Sequence, residues 1–138
     1  NKKEYAALLS QALNQCGHED IAWPPAFRVI DAVKPEALRG LPGVKAAGIV
    51  DEVQSALKGY IKSGLPSNVI RTLLILDKCI FVADPLFVQC IGNKKWTARL
   101  LKIACTNLDP NVRRIVVCLL QSWASSLPND LRVPFANC

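Results

Sequence analysis

The sequence predicts an all-α domain, and three observations predict it. Apolar residues recur at helical spacing in segment after segment. Most prolines and glycines fall where helices would begin or end. Strand alternation is absent. The most apolar stretch, NVIRTLLILDKCIFVAD (68–84), lies mid-chain, and the other segments are expected to pack around it. Val69, Ile70, Leu73, Leu74, Ile75, Leu76, Ile80, Phe81 and Val82 leave it almost no polar face, so protein should cover it on nearly every side. A pair of buried strands is the alternative, but the run is long and has no internal turn signal. Arg71, Asp77 and Lys78 interrupt it well short of the ~18 apolar residues of a membrane span.

Taken in order, Tyr5, Leu8, Leu9, Ala12, Leu13 and Cys16 form one apolar stripe, and Gly17 is a suitable stop. Pro24 and Pro25 suit the first turn of a second helix, whose inner face would be Phe27, Ile30 and Val33. The segment 34–45, KPEALRGLPGVK, is expected to be a connector and the place most open to insertion or disorder. Val50, Val53, Leu57, Tyr60 and Ile61 stripe a third helix, with Asp51, Ser55, Lys58 and Lys62 opposite, and Gly64 with Pro66 closes it.

After the central helix, Asp84-Pro85 reads as an N-cap with proline at the first helical position, and Gly92 ends a short helix through Phe87, Val88 and Ile91. In KKWTARLLKIACTN, Trp96, Leu100, Ile103 and Ala104 face inward, while Lys95, Arg99 and Lys102 line an outer stripe. Asp109-Pro110 repeats the cap and opens the clearest amphipathic helix, with core face Val112, Ile115, Val116, Leu119, Leu120 and Trp123, ended by Pro128. The tail can manage a turn or two before Pro134. The expected count is seven helices and a stub. Leu74 and Leu119 are both expected in the core, where truncation to alanine costs about 2–5 kcal/mol.

With 138 residues, 51% of them hydrophobic, the chain is one domain's worth and needs no disulfide staple. Its six cysteines (Cys16, Cys79, Cys90, Cys105, Cys118, Cys138) show no CxxC pair. Cys79, Cys90, Cys105 and Cys118 sit inside apolar helical patterns as small hydrophobes, which favours a reducing, intracellular setting. The lack of any Met suggests a domain excised from a longer protein. Net charge is +6, and its excess lies in residues 70–138, above all Lys94, Lys95, Arg99, Lys102, Arg113 and Arg114. An acidic partner is the natural inference: a peptide, a phosphopeptide, an anionic lipid head group or nucleic acid. A solvated basic face is the competing account.

Several landmarks resemble the VHS domain, the eight-helix right-handed superhelix of endosomal and trans-Golgi sorting adaptors. Glu19, Asp20 and Trp23 resemble the start of its second helix, and Asp31 an acidic residue within it. NVIRTLLILDKCI resembles its leucine-rich fourth helix, although Lys78-Cys79-Ile80 stands where the family has Asn-Cys-Gly. Val112, Arg113, Arg114, Leu119, Leu120, Gln121, Trp123 and Ala124 resemble the run of its seventh helix. The 34–45 connector is longer than the family's and the eighth helix shorter. ENTH and ANTH lipid-binding domains, the CTD-interacting domain and HEAT-like repeat pairs share the periodicity.

The resemblance implies a right-handed superhelix of seven to eight helices spanning 1–138. It implies a non-enzymatic adaptor in vesicle and endosomal protein sorting, cytoplasmic and peripheral to endosomal or trans-Golgi membranes. Trp23 and Phe27 would correspond to the ubiquitin-binding pair, although Pro24 disfavours helical geometry at Trp23 and a ring stapled inward is the competing account. Lys95, Arg99, Lys102 and Arg132 would meet an acidic sorting peptide in the groove between the sixth and eighth helices. Phosphoinositide binding by the basic stripe, or phosphopeptide binding as in a CTD-interacting domain, are the alternatives.

No enzymatic chemistry is expected. His18 beside Cys16 lacks an orienting third group, further metal ligands are missing, and Gly40, Gly43 and Gly48 fit no phosphate-binding loop. No cofactor is implied. Trp23, Trp96 and Trp123 are spread through the core pattern instead of forming a base-stacking platform, which argues against nucleic acid.

Overall fold

A computed structural model describes residues 4–14 and 20–138. The described residues form nine helices and no strand: α1 (Glu4–Asn14), α2 (Trp23–Ala32), α3 (Pro35–Leu38), α4 (Gly43–Ser63), α5 (Pro66–Val82), α6 (Pro85–Ile91), α7 (Lys94–Thr106), α8 (Pro110–Ser126) and α9 (Asn129–Ala136). The all-α class holds. The count exceeds seven and a stub for two reasons. The 34–45 connector carries α3, pinned by buried Leu38, and the tail continues as α9 through Pro134. Cys16, Gly17 and His18 lie outside the described residues.

Local chemistry sets the boundaries. Proline stands in the first two positions of α2, α3, α5, α6 and α8, where a missing N–H is harmless. Pro66 thus opens α5 two residues ahead of the expected 68. Asp84 caps α6 by accepting from the Leu86 N–H at 3.0 Å. Asp109 caps α8 through the N–H groups of Asn111 and Val112 at 2.8 and 3.2 Å. Asn93 caps α7 through the Trp96 N–H at 2.9 Å, a signal the residue type could have given. Between α4 and α5 the chain turns so tightly at Gly64 that a Cβ there would lie 2.4 Å from the Tyr60 carbonyl oxygen.

α5 is the hub. It packs against α1, α2, α4 and α8, with α7 and α9 stacked outside α8 and α6 touching α4, α7 and α9. Leu73, Ile75, Leu76, Cys79 and Ile80 are buried on it. The cover is nevertheless incomplete. Leu74 is 41% exposed, Phe81 46% and Val82 42%, which corrects the expectation of Leu74 as a core residue. Leu74, Lys78 and Phe81 recur at helical spacing on one stripe that the surrounding helices leave open, with half-buried Ile70 at its end. Leu119, by contrast, is buried.

Phe27 is a second correction: Ala26, Val29, Ile30 and Val33 take the buried positions, and Phe27, one residue and ~100° round from Ala26, is 47% exposed. Cys105 and Cys118 are also exposed, whereas Cys79 is buried. Its thiol is pushed up to about 12 by burial alone.

Arg71 is buried, and among the described residues its partners are carbonyl and amide oxygens. Its guanidinium donates to the carbonyl oxygens of Leu13 and of Asp20, the latter at 3.0 Å, and to the Asn68 side chain; its Nε donates to the Ser67 carbonyl at 3.3 Å. It thereby caps the end of α1, where a cation is favoured by the helix dipole.

Candidate functional site

Two grooves of opposite character open on the surface. The first runs between α2 and α5 and encloses about 340 Å³, lined by Phe27, Ile30, Lys34, Asp77, Lys78, Phe81 and Val82. Trp23 belongs to α2 in spite of Pro24, because Ala22 takes the extended cap conformation in its place (ψ 96°). One helical turn apart, Trp23 and Phe27 therefore share a face, with ring centroids 5.4 Å apart at 31°. The Lys78 ammonium lies 5.2 Å from the centre of the Trp23 ring, so the aromatic pair and the open stripe of α5 form one continuous patch. Trp23 is half-buried against the core while Phe27 stands out to solvent.

Charge in this groove is anchored. Lys34 pairs with Asp31 at 2.9 Å, and that hydrogen bond, more than the Coulombic attraction, raises its pKa. Asp77 accepts the indole N–H of buried Trp123 at 2.8 Å. What the surface offers is an apolar strip with two lysines at its edges.

The second groove lies between α4 and α7 and holds about 410 Å³, lined by Lys58, Lys62, Lys95, Ala98, Arg99 and Lys102. The stripe Lys95, Arg99 and Lys102 is thus outward-facing, as its spacing predicts. Its neighbours are Lys58 and Lys62 of α4, one turn apart. Behind them the buried Trp96 indole donates to the Gln54 Oε1 at 2.9 Å, and the Gln54 Nε2 donates to Asp51 and Ser55, both at 3.0 Å. The Lys58 ammonium sits 5.7 Å from the Trp96 ring centre.

Arg132 is on α9 and does not line this groove. The structure thus brings Lys95, Arg99 and Lys102 together and leaves Arg132 apart from them. The cleft among α7, α8 and α9 is lined by Leu101, Ala104, Val117, Leu120, Phe135 and other residues, with no cation among them. The reason is rotational: Lys95, Arg99 and Lys102 project from the side of α7 facing α4, and Leu101 and Cys105 from the side facing α9. Arg113 and Arg114 are committed locally, to the Asn107 carbonyl and the Asn111 side chain.

Comparison with family models, curated proteins and solved structures gave no significant match. Among the described residues no helix is long and apolar enough to cross a membrane.

Proposed function

We propose that this chain is a non-enzymatic adaptor module of vesicle and endosomal protein sorting, peripheral to endosomal or trans-Golgi membranes, and that its α2/α5 face binds ubiquitin. The observation that carries the reading is the Trp23–Phe27 pair: two large rings stacked on one face, beside an uncovered apolar stripe. Rigid aromatic anchors bring much contact area at little rotamer cost, and the VHS resemblance puts its ubiquitin-binding aromatic and apolar positions at these two residues. Phe81 and Val82 extend the surface across the groove.

A patch this small supports weak binding, with Kd on the order of 0.1–1 mM, or about 4–5.5 kcal/mol. Titration of the labelled chain with monoubiquitin, followed by NMR, is expected to give saturable shifts at Trp23, Phe27 and Phe81. Phe27→Ser should abolish them in a protein that keeps its thermal midpoint, since that ring is half in solvent already. Absence of shifts at millimolar ubiquitin would overturn the proposal and leave the rings as surface packing.

A further inference from the structure

The α4/α7 groove collects five cations and no acid. Lys58 and Lys62 stand on one wall, Lys95, Arg99 and Lys102 on the other, and Ala98 is the small residue between them. Among the described residues the ion pairs are Lys34–Asp31 and Arg39–Asp84, both elsewhere. Like charges gathered around so small a volume repel one another, and no ion pair among the described residues offsets this. The floor, however, is fixed: the Trp96–Gln54 hydrogen bond ties α7 to α4, and Lys58 is held near the indole face. α6 packs on both helices and sets their separation.

From this geometry we infer that the α4/α7 groove is a binding site for a compact polyphosphate, a ligand carrying two or more phosphomonoesters on one small framework. Charge density argues for phosphate over carboxylate. At neutral pH each phosphomonoester carries about −1.5 to −2, so two or three of them match five cations within one groove. An acidic peptide would have to spread the same charge over several residues. Side-chain type points the same way. Four of the five cations are lysines, whose ammonium groups act on phosphate as point charges, and Arg99 alone supplies the planar fork that pairs bidentately. Apart from Ala98, every residue lining the groove carries a cation at its tip.

Such a group could be free in solution or the head group of a membrane lipid, so the test has two arms. Inositol hexakisphosphate is titrated calorimetrically into the chain at 100 and 300 mM salt. Vesicles with and without phosphatidylinositol bisphosphate are then floated with it. The expected result is micromolar binding of the soluble probe, at least tenfold weaker at the higher salt, as counterion screening requires. Amide shifts should cluster at 58–62 and 95–102.

Lys62→Gln/Lys95→Gln/Lys102→Gln, all exposed positions, should lose at least thirtyfold with the thermal midpoint kept. A charge-matched control, Arg28→Gln/Arg114→Gln/Arg132→Gln on α2, α8 and α9, should lose less than threefold. Flotation dependent on the bisphosphate would assign the site to a lipid; soluble binding without flotation would assign it to a free polyphosphate. Three outcomes would overturn the inference: no binding in either arm, equal losses in the two variants, or tighter binding of a polyglutamate or doubly phosphorylated peptide than of inositol hexakisphosphate.

Discussion

The two grooves arise in opposite ways. The apolar one is a failure of cover: α5 is apolar almost all round, and the helices packed on it leave the Leu74–Lys78–Phe81 stripe in solvent. The cationic one is an assembly, made of side chains that no sequence pattern would bury, brought together because α4 and α7 close over Gln54 and Trp96. Each groove is backed by a buried tryptophan whose indole N–H is satisfied from the neighbouring helix, by Asp77 in one case and Gln54 in the other. The lesson is that an exposed apolar patch and an unpaired charged cluster have different structural origins, so they respond to different changes.

Adjacent leucines on α5 give the widest separation. Leu73→Ala should lower stability by about 2–5 kcal/mol, through lost burial plus a residual cavity, whereas Leu74→Ala should cost less than about 1 kcal/mol because its side chain already meets water. Chemical denaturation of the two variants checks this, and equal midpoints would break the assignment of the open stripe.

The backing residues come next. Gln54→Leu leaves the indole of fully enclosed Trp96 without an acceptor, at about 1–3 kcal/mol. Asp77→Leu should cost less, since Asp77 lies at a groove that water reaches. The same denaturation experiment ranks them, and the reverse order would show that the cationic groove is the less firmly built of the two.

An effect read through pH probes the inner side of α5. The native Cys79 thiol is pushed up to about 12, against an unfolded value of about 8.5. Above pH ~9 the unfolded chain therefore sheds a proton that the native state keeps, and stability falls as pH rises, by about 1.4 kcal/mol per unit towards pH 12. Midpoints measured from pH 8 to 11 should decline less steeply in Cys79→Ala. Parallel slopes would mean that Cys79 is not sealed from solvent in the native state.

Much of the fold was readable because its signals are local. The stripes Leu8–Leu9–Ala12–Leu13 and Val112–Val116–Leu119–Trp123 appear as helices in place, and Asp84-Pro85 and Asp109-Pro110 mark the starts of α6 and α8 to the residue. What could not be read was the direction a helix faces when its pattern does not choose one. In α5, apolar residues occupy every side, so Leu73 and Leu74 are indistinguishable until the neighbours are placed. In α2, small Ala26 takes the inward position and the larger, more apolar Phe27 the outward one. The sites divide in the same way: Trp23 with Phe27, and Lys95 with Arg99 and Lys102, lie within single helices and were legible as groups. Lys58 and Lys62 were visible as an outer pair on α4, but their meeting with α7 is a tertiary fact some forty residues away in sequence.

Arg71 has a consequence for how the chain comes apart. Its guanidinium reaches acceptors 58 and 51 residues earlier, so the carbonyl end of α1 is closed off by a group that arrives only with α5. Helix α1 is therefore not an autonomous folding unit. Its amides should exchange with solvent in step with those of α5, as one cooperative block, instead of fraying independently as a terminal helix usually does. What releases the N-terminal helix is the loss of α5 itself.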